Sequence, residues 1–287
     1  MSAVSEKNVP YILTAPGVLF FAALLGVPMV MTFLLSLHSY DFNTGIVRDW
    51  SFGNYVEVVT DEYFQKIFGR TFGLALLVTV LCVLVGVPEA YVLSRLSSRW
   101  RSVFLLVVLG PLLISVVVRT LGWALFFGGN GILTMISQSL GFGDEPVSLM
   151  FTFTGMTIAL VHVLVPFMVI AVWASLQKID PQCEDAAYSL GASKFTVLSR
   201  ITLPQAMPGI LSGCIIVFAL TASAFATPAI IGGRRLKVVA TAAYDEYLNT
   251  LNWPLGASIA VLLLIANVVI IISYNRLIER RFAKVFE

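Results

Sequence analysis

The residues able to do chemistry in this chain are few, and an apolar background holds them apart. Of its 287 residues, 58% are hydrophobic and 12% charged, so a polar side chain inside an apolar run needs a physical reason to be there. Glu89 follows Pro88 near one end of such a run, where an ionised and unpaired carboxylate costs about 2–4 kcal/mol. Glu89 is read as a gating or structural ion-pair residue, with Arg95 or water in reach, in preference to a substrate contact. Arg119 lies within another run, with Trp123 four residues on and therefore on the same helical face. A guanidinium there faces a bundle interior, a partner subunit or a watery cavity, not lipid. His162 has no second histidine or carboxylate one helical turn away and reads as a hydrogen-bonded packing residue, not a proton relay. Pro166 removes the donor that would serve the His162 carbonyl.

A second kind of chemistry sits in a loop. Asp245 and Glu246 lie between Tyr244 and Tyr247, and carboxylates flanked by aromatic faces are what a dication requires. The same loop serves equally as a solvated contact for another protein. Other functions find no support. Gly128-Gly129-Asn130-Gly131 is a turn without the lysine and hydroxyl of a phosphate loop, and no G-x-x-x-x-G-K-[ST] run occurs anywhere. Nucleotide hydrolysis therefore belongs to another chain, and no cofactor is expected on this one. Cys82, Cys183 and Cys214 lack metal-ligand spacing and are read as small apolar fillers. Glu89, Arg119 and His162 stand on three different runs, which argues against an enzyme active site. Nothing resembles a selectivity filter, and a net charge of +2 makes no case for nucleic acid.

The elements that carry these residues are membrane spans. Mean hydropathy is +0.91, and about 20 apolar residues cross a bilayer. Six candidates are Tyr11 to Leu37, Phe72 to Leu93, Val103 to Phe127, Phe151 to Leu176, Ile210 to Ile231 and Leu255 to Ser273. Their length predicts an all-α polytopic protein. The first is too long for a signal-peptide core and is read as a retained anchor carrying Pro16 and Pro28. Residues 1–10 form a short polar tail, and residues 38–70 read as an interfacial helix rich in aromatics. Arg95, Arg99 and Arg101 after the second span, with Arg276, Arg280, Arg281 and Lys284 after the sixth, place both regions and both termini in the cytoplasm. Asp41, Asp49, Glu57, Asp61, Glu62, Asp144 and Glu145 then mark the outer face, where Arg234, Arg235 and Lys237 are exceptions.

The longest polar interruption of the second half, Asp180 to Ile210, carries ordered helix punctuation. Asp180 suits an N-cap with Pro181 at the first helical position. Gly191 suits a left-handed helix end, Ser193 a second cap, and Pro204 a stop. Two short helices on a glycine elbow form a knob, and Ala186 and Ala187 leave its surface flat enough for another protein's groove.

Asp185-Ala186-Ala187, Gly191 and Ile201-Thr202-Leu203-Pro204 resemble the EAA loop of permease subunits in ABC importers. Asp185 stands where that family usually has glutamate, with Glu184 just before it, so either carboxylate could make the family's polar contact. A narrower likeness is carried by Val118-Arg119-Thr120 with Trp123, Met207-Pro208-Gly209-Ile210, Thr227-Pro228-Ala229 with Gly232-Gly233, and Asn252-Trp253-Pro254-Leu255-Gly256-Ala257. These are similar to the spermidine/putrescine-type branch, over about Arg70 to Tyr274, and within it to the first of two dissimilar permeases.

The resemblance implies a MetI-like permease fold with an anchor and external segment at 1–69, a transmembrane core at 70–275 with its coupling loop at 177–208, and a basic tail at 276–287. It implies ATPase contact through Glu184, Asp185, Ala186, Ala187, Gly191, Ala192 and Pro204. The implied partners are an ATP-binding subunit dimer holding ATP and Mg, a second permease forming a heterodimer, a periplasmic binding protein, and lipid. Arg119, Trp123, Phe225, Thr227, Tyr244, Asp245 and Glu246 are the substrate-path candidates. Many polyamine-type relatives carry an acid near the position of Ser223-Ala224-Phe225; this chain has none. Arg119 would repel a cation, which keeps an opine, an amino acid derivative or a phosphonate open as the cargo beside putrescine and spermidine.

Overall fold

The computed structural model describes residues 9–141 and 145–286, with side chains over 13–141 and 145–277. Residues 1–8, Asp144 and the side chains of Arg280, Arg281 and Lys284 lie outside that description. Six described segments are long and apolar enough to cross a membrane: Leu13–Ser36, Glu62–Arg95, Val116–Ser139, Phe153–Leu176, Lys194–Ala222 and Trp253–Leu277. The chain divides into two compact units, one running to Gln65 and including Ala242–Ala266, the other spanning Lys66–Thr241 and continuing from Asn267.

The first unit opens with helix α1 (Val9–Ser36), which contains Pro16 and Pro28. Phe20, Phe21, Leu24 and Leu25 remain exposed, so α1 is apolar around its circumference and suited to lipid or a partner. The end of α1 leaves carbonyls without helical partners. The Ser36 carbonyl accepts from Asn54 Nδ2 at 3.2 Å and Ser258 Oγ at 3.1 Å. A hairpin of β1 (Ser39–Asp41) and β2 (Gly45–Val47) follows, pairing Tyr40 with Ile46. Its turn is closed by the Asp41 carboxylate, which accepts the Asn43 and Thr44 amides, both at 2.9 Å. These bonds, the Thr44 amide first, hold the Asp41 carboxyl below the usual carboxylate range. An interfacial helix alone was expected here. The short helix α2 (Gly53–Thr60) is present, but the hairpin arises from side-chain turn chemistry that apolar periodicity does not register.

Helix α3 (Glu62–Arg95) begins well before the expected Phe72 and passes through Pro88. The third span departs from its expected course: Val103 to Phe127 is not one helix. Helix α4 (Ser98–Leu109) runs into a 3-10 turn at Gly110–Leu113, the chain is extended at Ile114 and Ser115, and α5 (Val116–Phe127) restarts. Pro111 supplies no amide, and β-branched Ile114 suits the extended backbone before the restart. Helices α6 (Ile132–Ser139) and α7 (Phe153–Leu176) follow, the latter continuous through Pro166.

The fifth span was expected over Ile210 to Ile231, with Pro204 stopping the helix before it. Both expectations are corrected. Helix α9 (Lys194–Val197) passes through a π turn at Leu198–Thr202 directly into α10 (Leu203–Ala222), with Pro204 in the first turn of α10. The Leu203 amide reaches back to the Leu198 carbonyl. This widened turn accommodates a proline that the regular ladder would exclude. A second π turn, Pro228–Gly232, precedes α11 (Val239–Leu248) and α12 (Trp253–Phe286).

Within the second unit, α7 is the most enclosed span. Between apolar helices in lipid, water expulsion supplies little drive, so close backbone approach carries the packing. A Cβ added at Gly209 would lie 2.6 Å from the Ala171 carbonyl oxygen and 3.0 Å from Val172 Cα. Gly213 and Gly86 both press on Met168. Thus α10 and α3 meet α7 through glycines, a geometry that any side chain would spread apart.

Candidate functional site

Helix α8 (Pro181–Ser189) is the centre of the knob. The Asp180 carboxylate accepts the Gln182 amide at 2.9 Å, and Pro181 opens the helix. At the far end the Ala192 amide donates to the Ala187 carbonyl at 3.0 Å and the Gly191 amide to that of Tyr188 at 2.9 Å. Gly191 has φ of +82°; the paired bonds and the left-handed glycine make a Schellman end. Ser193 Oγ then accepts the Thr196 amide at 3.2 Å and starts α9. The predicted cap, elbow and second cap all stand where the residue types placed them.

The two neighbouring carboxylates have separate roles. Glu184 is turned inward and 6% exposed, bonded to Arg95 Nη2 at 2.5 Å and to Thr202 Oγ1 at 2.8 Å through the same oxygen. The Arg95 hydrogen bond leads in holding its carboxyl below the usual range, with Thr202 adding to it. Asp185 is exposed, as is Ala186, while Ala187 is half-buried. Leu190 and Phe195 project from the same knob at 89% and 77% exposure. Arg95 therefore serves Glu184 and not Glu89, and Glu89 has no ion pair among the described residues. Cys183 is exposed, so it is not the apolar filler expected; Glu184 is the buried residue of α8.

A second cluster joins α5 to α7. Trp123 Nε1 donates to His162 Nδ1 at 3.1 Å, with the rings edge-on at 5.4 Å. Arg119, one turn before Trp123, lies within electrostatic reach of His162. His162 is hydrogen-bonded, as expected of a packing histidine, and its partner Trp123 is remote in sequence and on another helix. Close by, Thr120 Oγ1 and Thr227 Oγ1 share a hydrogen bond of 3.0 Å, tying α5 to the stretch that carries Thr227-Pro228. Thr227 is buried and Phe225 exposed. Phe151, at φ of +59°, donates its amide to the Ile231 carbonyl at 2.8 Å.

The remaining substrate-path candidates belong to the other unit. Asn249 Nδ2 donates to Asp245 Oδ1 at 2.8 Å and Thr250 Oγ1 to Glu246 Oε2 at 2.6 Å. Tyr244 is exposed and Tyr247 lies over Gly256, 2.6 Å from where a Cβ would be. Glu57 joins this acidic face: desolvation first, then the charges of Asp61 and Glu246, push its carboxyl above the ordinary range.

Residues 19–284 match the family described as binding-protein-dependent transport system inner membrane component. The chain is 27% identical over 258 residues to the spermidine/putrescine transport system permease protein PotB of Haemophilus influenzae, covering 89% of this chain and 90% of that one. It is 29% identical over 249 residues to PotB of Escherichia coli K12, covering 87% and 90%. Among solved structures, a bacterial alginate ABC transporter in complex with an alginate pentasaccharide-bound periplasmic protein superposes with TM-score 0.78 at 19% identity, covering 97% of this chain and 96% of that one.

Proposed function

Since the chain belongs to the family of binding-protein-dependent transport system inner membrane components, we propose that it is the permease subunit of an ATP-driven importer carrying putrescine or spermidine. The observation that carries the cargo is the likeness to PotB over nine-tenths of both chains. Asp245, Glu246 and Glu57 offer carboxylates with Tyr244 beside them, the chemistry a dication asks of a protein surface. A second permease completes the translocation path, an ATPase dimer holding ATP and Mg powers it, and a periplasmic binding protein delivers the cargo. Both termini and the knob face the cytoplasm, as the arginines after α3 and on α12 indicate.

Coupling runs through the knob. Asp185, Ala186, Leu190 and Phe195 are its outward surface, and they seat in a cleft of the ATPase. Glu184, inward and bonded to Arg95, holds the knob to the end of α3. ATP-driven closure brings the two permeases' knobs together and opens the path outward when the loaded binding protein docks. Such coupling needs the two ATPase states to hold the knob differently.

The test is uptake into proteoliposomes holding this chain, its second permease, the ATPase and the binding protein. Labelled putrescine should accumulate only with internal ATP. Uptake of an anionic amino acid alone would leave the importer standing and remove the polyamine.

A further inference from the structure

Arg119 lies one turn into α5, and its Nε and Nη1 are buried without a hydrogen-bond partner. The cost of burying a guanidinium donor with no acceptor is substantial in an apolar surround. The cost is not relieved by its neighbours, because they are donors too. Trp123 Nε1–H can only donate, so His162 Nδ1 must be the acceptor of their 3.1 Å bond. The ring proton of His162 then sits on Nε2, and the His162 side chain is exposed. The start of α5 adds more of the same sign. The chain breaks at Ile114 and Ser115, and no side chain caps the first turn of α5. Its free amides and dipole favour negative charge. Arg119 is the fourth residue of α5, so its long side chain is rooted within a turn of those amides.

We infer that Arg119, His162 Nε2–H and the first turn of α5 form a carboxylate-binding site at the α5–α7 contact. A carboxylate is acceptor-only, planar and matched to the guanidinium fork. The long side chain of Arg119 turns from its present position to meet it. Two sources supply the same chemistry. One is an aspartate or glutamate of the second permease, which would make the site a contact between the two permeases. The other is a carboxylate on the cargo. The inference rests on the importer reading above, and the first source leaves the polyamine cargo intact while the second replaces it.

The experiment uses the whole complex in proteoliposomes, with Arg119→Lys and Arg119→Gln. The amine that Arg119→Lys introduces, when beside a protein carboxylate, is coupled by dicyclohexylcarbodiimide, forming an amide as the reagent leaves as dicyclohexylurea. A covalent pair of the two permeases, mapped by mass spectrometry and seen with Arg119→Lys but not Arg119→Gln, assigns the carboxylate to the second permease. Uptake of putrescine and of 4-aminobutyrate, which has a carboxylate in place of one aminomethyl group of putrescine, is measured in parallel. ATP-dependent 4-aminobutyrate uptake that falls at least about tenfold in Arg119→Gln, with no cross-link, assigns the carboxylate to the cargo. Arg119→Lys, which keeps the charge but loses the fork, should fall between wild type and Arg119→Gln in either case. Co-purification of both permeases confirms that each variant assembles. An assembled Arg119→Gln complex with unchanged uptake of both solutes, together with no cross-link in Arg119→Lys, overturns the site.

Discussion

At the scale of the residue, adjacency in sequence says little about role. Glu184 and Asp185 are neighbours, yet a helix turns successive side chains by about 100°. One meets Arg95 inside the molecule and the other meets solvent. Glu184→Gln keeps the Thr202 bond and loses the ion pair. Arg95 is 47% exposed and regains water, so the loss should be about 1–2 kcal/mol of local stability. Hydrogen exchange across α8 should quicken accordingly. The pH dependence follows from the depressed carboxyl: the contribution of Glu184 is complete above the ordinary carboxylate range and is lost as pH falls through its lowered value. Protection of α8 should therefore decline on acidification in the wild type and vary less with pH in Glu184→Gln. Equal acid sensitivity in both would remove Glu184 as the group responsible.

At the scale of the element, the spans are held by what glycine leaves out. Gly209 and Gly213 stand one turn apart on α10, and both contact α7. With lipid on the outer faces, this close approach replaces the hydrophobic drive of a soluble core. Gly209→Val sets methyl groups against the Ala171 carbonyl and the Val172 backbone. Backbone cannot yield as a side-chain tip can, so a destabilisation of about 2–3 kcal/mol is expected. The midpoint of thermal unfolding in detergent measures it, with Gly69→Val as the comparison because nothing lies within 4 Å of that position. An equal shift for both variants would mean that the α7–α10 contact is not what Gly209 protects. The π turn before Pro204 belongs to the same scale. It converts a residue that reads as a helix stop into the first turn of a span.

At the scale of the whole molecule, the proposed importer makes the knob the part through which work would enter from an ATPase. Gly191 holds its end at φ of +82°, where a β-branched residue pays about 1–2 kcal/mol. A Cβ there meets nothing within 4 Å, so Gly191→Val strains the elbow without a steric clash. The complex should assemble and hydrolyse ATP, while putrescine moved per ATP falls about tenfold for each 1.4 kcal/mol of coupling lost. Parallel assays of ATP turnover and uptake test this, and an unchanged ratio would show that the elbow does not transmit.

The sequence by itself determined the class of the molecule, the number of spans and the caps and elbow of the knob from Asp180 to Ser193. These depend on local properties: apolar length against bilayer thickness, a carboxylate or hydroxyl at a cap, and glycine at a left-handed turn. The knob was legible for the same reason, since Asp180, Gly191 and Ser193 act within a few residues of themselves. Tertiary structure alone decided which carboxylate Arg95 takes, that Trp123 and His162 meet, and that Gly209 is a contact. Each joins residues remote in sequence, and hydrophobic periodicity carries no information about which partner lies across a helix interface. The break at Ile114–Ser115 and the passage through Pro204 were likewise hidden. Apolar residues fill a broken or widened turn as readily as a regular one, and the surrounding helices decide whether the departure is tolerated.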